Sequence, residues 1–168
     1  MRTLGIDPGI ATLGWGVVDS VGPKLTLVGC AALTTPARTP LADRLLTLYD
    51  GLTALLAEYK PDAAAVEEMF FGKNVTTAIT VGQARGVIML VLAQARVPIF
   101  EYTPAEVKQA LAGYGNADKR QMQEMVRQTF NLKAIIKPDD AADAAAIAVC
   151  HSYTAPMLER IASATRAG

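Results

Sequence analysis

The sequence predicts an α/β fold, a mixed five-stranded sheet flanked by helices. Three observations predict it. Near the N-terminus three strand-like segments follow one another with only short turns between them. Further on, two apolar segments of strand length alternate with long stretches of helical spacing. Strands joined by turns pair antiparallel, whereas strands joined through helices need parallel crossovers, so the sheet must be mixed.

The elements follow in order. "RTLGID" alternates weakly and ends at the turn signal Asp7-Pro8-Gly9, and "TLGWGVVDS" and "KLTLVGCAALT" follow around "VGP". From Pro40 to Lys60 Leu and Ala recur at helical spacing until "KPD" stops them. "AAAVEE" is a short strand ending in two acids, Val75 to Arg96 a long helix, and "VPIFEY" the fifth strand. "TPAEVKQALAGYG" starts on Thr-Pro and ends in glycines, and "ADKRQMQEMVRQTFN" is amphipathic. The last helix opens at "KPDDAADAAAIAVCH": alanine is the best helix former, and Pro138 suits a first turn. No repeat or linker divides the chain, so residues 1–155 read as one domain and 156–168 as a polar C-terminal tail.

Half of the 168 residues are hydrophobic and 19% are charged, which suits a soluble globular protein. No apolar run approaches the roughly 18 residues of a membrane span, and the start lacks the apolar region of a signal peptide. Cys30 and Cys150 fit neither a zinc motif nor a disulfide framework; as buried thiols they point to a reducing, cytoplasmic setting. Net charge is zero but uneven. Lys73 to Lys137 holds nine basic and four acidic residues, +5, against −5 for the remainder. A neutral total can thus hide a basic surface beside an acidic focus, although an ordinary solvated mosaic is the blander reading.

The acids stand where sites form. Asp7 ends the first strand and Glu67 and Glu68 the fourth, and in open α/β sheets ligands sit at the carboxyl ends of parallel strands. Asp140 and Asp143 are spaced i, i+3 on one helix face. Four carboxylates from three distant segments would converge if the two strands are neighbours. Such a cluster repels itself, and hard divalent cations with oxygen ligands offset it. Two ions about 4 Å apart suit phosphodiester hydrolysis. Each acid also has a plainer role: turn former, exposed strand end, or favourable charge at a helix N-terminus, the preferred reading for Asp139.

Six motifs in order carry a resemblance: "GIDPG" at 5–9, "VEEMFFGKN" at 66–74, "GQARGV" at 82–87, "FEYTPAEVKQ" at 100–109, "GYGNADK" at 113–119 and "DAADAAAIA" at 140–148. From Arg2 to Tyr153 the sequence resembles the RuvC family of crossover-junction endodeoxyribonucleases, the Holliday junction resolvases. The resemblance implies a ribonuclease H-like fold and a metal-dependent endonuclease that nicks two strands of like polarity near the crossover of a four-way junction, in DNA recombination and repair. It implies Mg²⁺ or Mn²⁺, two ions to a site, held by Asp7 as the bridging ligand with Glu67, Asp140 and Asp143. Glu67 is preferred because the family glutamate stands three before a loop aromatic, here Phe70, yet Glu68 remains open. Asp140 is preferred over Asp139 because the family pair is Asp-Ala-Ala-Asp.

The family's basic residues match Lys108 and Lys119, expected near the scissile phosphate, and Phe70 is expected to touch a base. Lys73 and Arg85, inside the motifs and the basic stretch, join them as candidate DNA contacts. The resemblance further implies a homodimer, a T-rich cutting preference and the RuvAB branch-migration complex as partner. "GVIMLVLAQA", 86–95, is apolar almost all round; one side should pack on the sheet, and the segment alone fits a fully buried core helix as well as a face offered to a second chain, the resemblance favouring the latter. His151 lies eleven residues, roughly 16 Å, beyond Asp140 and reads as structural. Two rivals remain: an actin-like nucleotide-binding module, which needs a second phosphate loop, and a non-catalytic junction-binding protein, against which the intact acids speak.

Overall fold

The computed structural model describes residues 1–68 and 75–166, with the backbone alone at 75–78, 159, 161, 162, 165 and 166. Phe70 and Lys73 lie outside the described residues. The elements run β1 (Arg2–Asp7), β2 (Thr12–Val21), β3 (Lys24–Thr34), α1 (Leu41–Tyr59), β4 (Ala63–Glu67), α2 (Val75–Gln94), β5 (Ile99–Tyr102), α3 (Pro104–Ala112), α4 (Lys119–Thr129) and α5 (Asp139–Arg166). The sheet order is β3-β2-β1-β4-β5. β1, β2 and β3 pair antiparallel, and β1–β4 and β4–β5 pair parallel, so the expected mixed sheet is the observed one. α5 starts one residue after Pro138, and it continues through residue 156 to Arg166, so the stretch read as a polar tail extends that helix.

Successive residues of a strand face opposite sides, and here that alternation builds two cores. Leu4, Ile6, Leu13, Trp15, Val17, Ala64 and Val66 pack with Leu48, Leu52, Ile88 and Leu92 of α1 and α2. On the other face Val18 and Ala65 meet the buried alanines and Ile147 of α5, backed by Val107 and Leu111 of α3 and Met122 and Val126 of α4. α5 lies unusually close to the sheet. A Cβ on Gly5 would fall 2.0 Å from the Ala144 carbonyl oxygen, one on Gly14 2.0 Å from that of Asp140, and one on Gly16 2.8 Å from Ala145 Cα. Glycine on the strands and alanine on the helix thus let backbone approach backbone, and this sets the depth at which α5 begins.

His151 is 1% exposed, so the structural reading holds. Its Nδ1 shares a 2.7 Å hydrogen bond with the Tyr102 hydroxyl, which also contacts Thr154 Oγ1 at 2.7 Å, and its ring lies 4.3 Å from that of Phe100. Burial pushes its pKa down from 6.5 to about 4. The sign follows: between pH 6.5 and 4 the unfolded chain takes a proton that the folded chain refuses, so acid lowers stability. The full effect is about 3 kcal/mol. Urea unfolding of wild type and His151→Leu at pH 7 and pH 4.5 checks it: the substitution should narrow the drop between the two pH values, and an equal drop would show that His151 takes up its proton alike in the folded and unfolded chain.

Candidate active site at the carboxyl edge of the sheet

Asp7 and Glu67 are the last residues of two adjacent parallel strands in matching register, since Ile6 pairs with Val66. Parity decides their direction. Ile6 and Val66 point into the α1–α2 core, so the residues that follow point to the α5 side. Neighbouring strands lie about 4.8 Å apart, so the two carboxylates emerge beside each other. Asp7 is paired with Gly14, and it is Gly14 that allows the Asp140 carbonyl to sit against β2. The first turns of α5, carrying Asp140 and Asp143, are therefore seated directly over the ends of β1 and β2.

The electrostatics record the convergence. Asp7 is raised from 3.8 to about 7, first by burial and then by the charges of Glu67, Asp143 and Asp140, with Lys119 opposing. Burial and Asp143 raise Glu67, while Lys108 draws it down. Asp143 is raised by burial, then lowered by Lys119 and raised by Asp139 and Asp140. Glu68 is exposed and continues the strand pairing, its N–H donating to the Tyr102 carbonyl at 2.7 Å. Asp139 is held between two ammonium groups, Lys137 at 2.6 Å and Lys119 at 3.0 Å, which bring it down to about 2. Within each adjacent pair of acids, Glu67 and Asp140 are thus the members coupled to Asp7.

Lys119 is the first residue of α4, fixed by a capping box in which the Asp118 carboxylate accepts from the Gln121 N–H and the Gln121 side chain from the Asp118 N–H. Its Nζ also stands 3.8 Å from Asp143. α3 opens on a second capping box, Thr103 with Glu106, and carries Lys108. Arg85 does not face outward. Its guanidinium donates to the Glu67 carbonyl at 2.8 Å and pairs with Glu101. Sequence reasoning missed both the inward turn of Arg85 and the lysine clamp at Asp139. Glu101 lies 16 residues from Arg85 and Lys119 lies 20 from Asp139, so neither contact has a local signal; only Lys137, two residues before Asp139, is a sequence neighbour.

Among the described residues no three acidic, histidine or cysteine side chains are gathered tightly enough to cage an ion. The donor set nonetheless fits a hard cation: oxygen ligands only, half-buried, mutually repelling, with too few cations beside them. Mg²⁺ in particular is held by one or two carboxylates together with substrate phosphates rather than by a closed protein cage. The two hollows of about 470 Å³ open at the opposite end of the sheet, beside Met1 and Asp62. An acidic edge with Lys119 and Lys108 beside it suits a phosphate-bearing substrate.

Residues 3–151 match the family described as crossover junction endodeoxyribonuclease RuvC. The chain belongs to the RuvC family. The family's protein from Chloroflexus aggregans is 66% identical over 160 residues, 95% of this chain and 98% of that one, and that from a Roseiflexus species is 64% identical over 95% of each. The Thermus thermophilus RuvC structure superposes with a TM-score of 0.86 at 39% identity, over 94% of this chain and 96% of that one. The same protein in complex with Holliday junction substrate gives 0.86 at 37% over the same shares. The yeast mitochondrial Holliday junction resolvase shares the fold, with a TM-score of 0.69 at 15% identity over 94% of this chain and 80% of that one. The ribonuclease H-like architecture is thus that of RuvC and related resolvases. No helix among the described residues is long and apolar enough to cross a membrane.

Proposed function

We propose that this RuvC-family chain is a metal-dependent endonuclease that resolves four-way DNA junctions by paired, symmetric nicks. The observation that carries the chemistry is the meeting of Asp7, Glu67, Asp140 and Asp143, from β1, β4 and α5, at one sheet edge. These four would hold Mg²⁺ or Mn²⁺, two ions in the fullest form of this reading. Bound there, the metal supplies activation of water and stabilisation of charge on the phosphate. Asp7, raised to about 7 by burial and then by Glu67, Asp143 and Asp140, would be the ligand that the ions share. Lys119 and Lys108, whose charges act on Asp7, Asp143 and Glu67, hold the scissile phosphate. Water forms the new bond to phosphorus and the bond to the 3′-oxygen breaks, leaving a 5′-phosphate and a 3′-hydroxyl. Phe70 and Lys73 would contact the junction from the segment after β4. Incubation with a synthetic four-way junction, with and without divalent metal, followed by mapping of the ends, tests the reading. Binding without nicks under every metal would favour the non-catalytic rival.

Two nicks on opposed strands of a two-fold substrate call for two active sites related by a two-fold axis, hence a homodimer. α2 offers the surface. Its inner side chains Ala84, Ile88, Val91 and Leu92 are buried, whereas Ile79 and Leu90 are 59% and 53% exposed. Between these lie Gly82 and Gly86, each with open space above it. Residues 79, 82, 86 and 90 recur at the spacing of three and four that a helix–helix contact needs. Leu90→Lys is expected to shift sedimentation equilibrium at micromolar concentration from dimer to monomer and to uncouple the two nicks. A wild-type monomer that still makes coordinated nicks would sink the symmetric arrangement.

Affinity for the junction should fall steeply with salt despite the neutral total charge, because the +5 stretch from Lys73 to Lys137 supplies phosphate contacts that release counterions. Titration of junction binding between 50 and 200 mM salt checks this, and a flat response would remove the electrostatic part. A cytoplasmic location and the RuvAB motor as partner complete the proposal.

A further inference from the structure

Arg85 belongs to α2, yet only 19% of its side chain is exposed, because the guanidinium is turned to the strand ends. One nitrogen donates to the carbonyl of Glu67 at 2.8 Å, and another pairs with the Glu101 carboxylate of β5. Glu101 lies opposite Val66 in the β4–β5 register. One planar group therefore ties three elements together at the residue where β4 ends. Among the described residues the strand pairing at this end comprises Glu67 opposite Tyr102 and the Glu68 N–H donating to the Tyr102 carbonyl. Glu67 meanwhile is pressed by burial and by Asp143, so its carboxylate keeps a fixed direction only if its backbone does. A guanidinium can serve two acceptors in one plane, whereas an ammonium is a single point of charge.

We infer that Arg85 is a positioning residue for Glu67, locking the end of β4 to β5 and α2 so that the Glu67 carboxylate is presented to a divalent cation. The inference rests on the reading of the acids as metal ligands given above. It also means that Arg85 is not spent on DNA.

The test uses the full chain and three readouts: Mn²⁺ binding without DNA, followed by loss of the free-ion paramagnetic signal; junction affinity and its salt slope in metal-free buffer; and thermal melting. Arg85→Ala should weaken Mn²⁺ binding ten- to a hundredfold, the range typical of residues that orient a metal ligand. Metal-free junction affinity and salt slope should stay at wild-type values. Glu101→Gln should weaken Mn²⁺ binding in the same direction but less, and Arg85→Lys should recover only part of the loss. If Arg85→Ala melts too low to titrate, Arg85→Lys and Glu101→Gln carry the comparison. Equal Mn²⁺ binding by wild type and the variants overturns the inference alone. A fall in metal-free junction affinity, with the salt slope lowered by about one, overturns it in favour of a phosphate contact. No Mn²⁺ binding by the wild type overturns the metal reading and this inference with it.

Discussion

Asp7→Asn, Glu67→Gln, Asp140→Asn and Asp143→Asn are each expected to lower junction cleavage on the order of 10³-fold, while junction affinity in metal-free buffer survives. On the proposed reading each change would remove one anionic oxygen ligand, and the several kcal/mol of charge stabilisation supplied through such a site convert to that factor in rate. Affinity survives because phosphate contacts come from lysine and arginine. Asp139→Asn should cost less than about tenfold, since that carboxylate is occupied by Lys137 and Lys119. Parallel cleavage and gel-shift measurements check the set. Normal cleavage by Asp140→Asn would move the ligand to Asp139, and normal cleavage by Glu67→Gln would move it to Glu68.

The same substitution at Asp7 has a consequence that needs no substrate. Asp7 titrates at about 7 in the fold against 3.8 ordinarily, so its ionised form is disfavoured there. The sign is the reverse of the usual carboxylate case: the penalty is absent below pH 3.8, grows as pH rises, and is complete above about 7. At pH 8, without divalent metal, Asp7→Asn should therefore melt higher than wild type by several degrees, a gain of up to about 4 kcal/mol. Added Mg²⁺ should raise the wild-type melting temperature more than that of the variant. A variant that melts lower at pH 8 would show that the cluster is already compensated within the chain.

The second large effect is steric. Gly14→Ala and Gly5→Ala should each destabilise the fold by about 3 kcal/mol, because the added methyl meets helix backbone at 2.0 Å and α5 must lift from the sheet. That corresponds to a fall of roughly 10 °C in melting temperature for a domain of this size. The two differ in function. Gly14 lies under Asp140, so Gly14→Ala should depress cleavage at a temperature where it is still folded, and weaken its response to metal. Gly5 lies deeper along α5, under Ala144 and Ala148, so Gly5→Ala should act mainly through stability. Gly115→Ala, whose methyl would meet Ala105 at ordinary distances of 3.6 Å and beyond, is the control. Melting of all three variants, with cleavage measured well below each transition, separates the effects. A wild-type melting temperature for Gly14→Ala would mean that α5 does not rest on β2 as described.

The order of strands and helices, the mixed sheet and the placing of acids at strand ends were legible in the sequence, because they depend on local spacing: short turns between β1, β2 and β3, helical runs before β4 and β5, Asp7 and Glu67 where apolar strands stop, and Asp140 and Asp143 one turn apart. The ordered motifs made the family legible as well. What the sequence left open was direction. A strand residue faces one side or the other according to register, so the side on which Glu67 emerges, beside Asp7, follows only from the pairing of Ile6 with Val66 and the core behind it. The preference for Asp140 over Asp139 came from the Asp-Ala-Ala-Asp pair, and what tertiary structure adds is that Lys119 and Lys137 pair with Asp139. Arg85 looked like one more basic residue in a basic stretch until the end of β4 and Glu101 were seen to claim it. The close seating of α5 joins Gly14 to Asp140 across 126 positions of chain, a contact between backbones to which no side-chain pattern answers. Local chemistry decides what each segment is; which faces meet is decided by packing, and packing is a property of the whole chain.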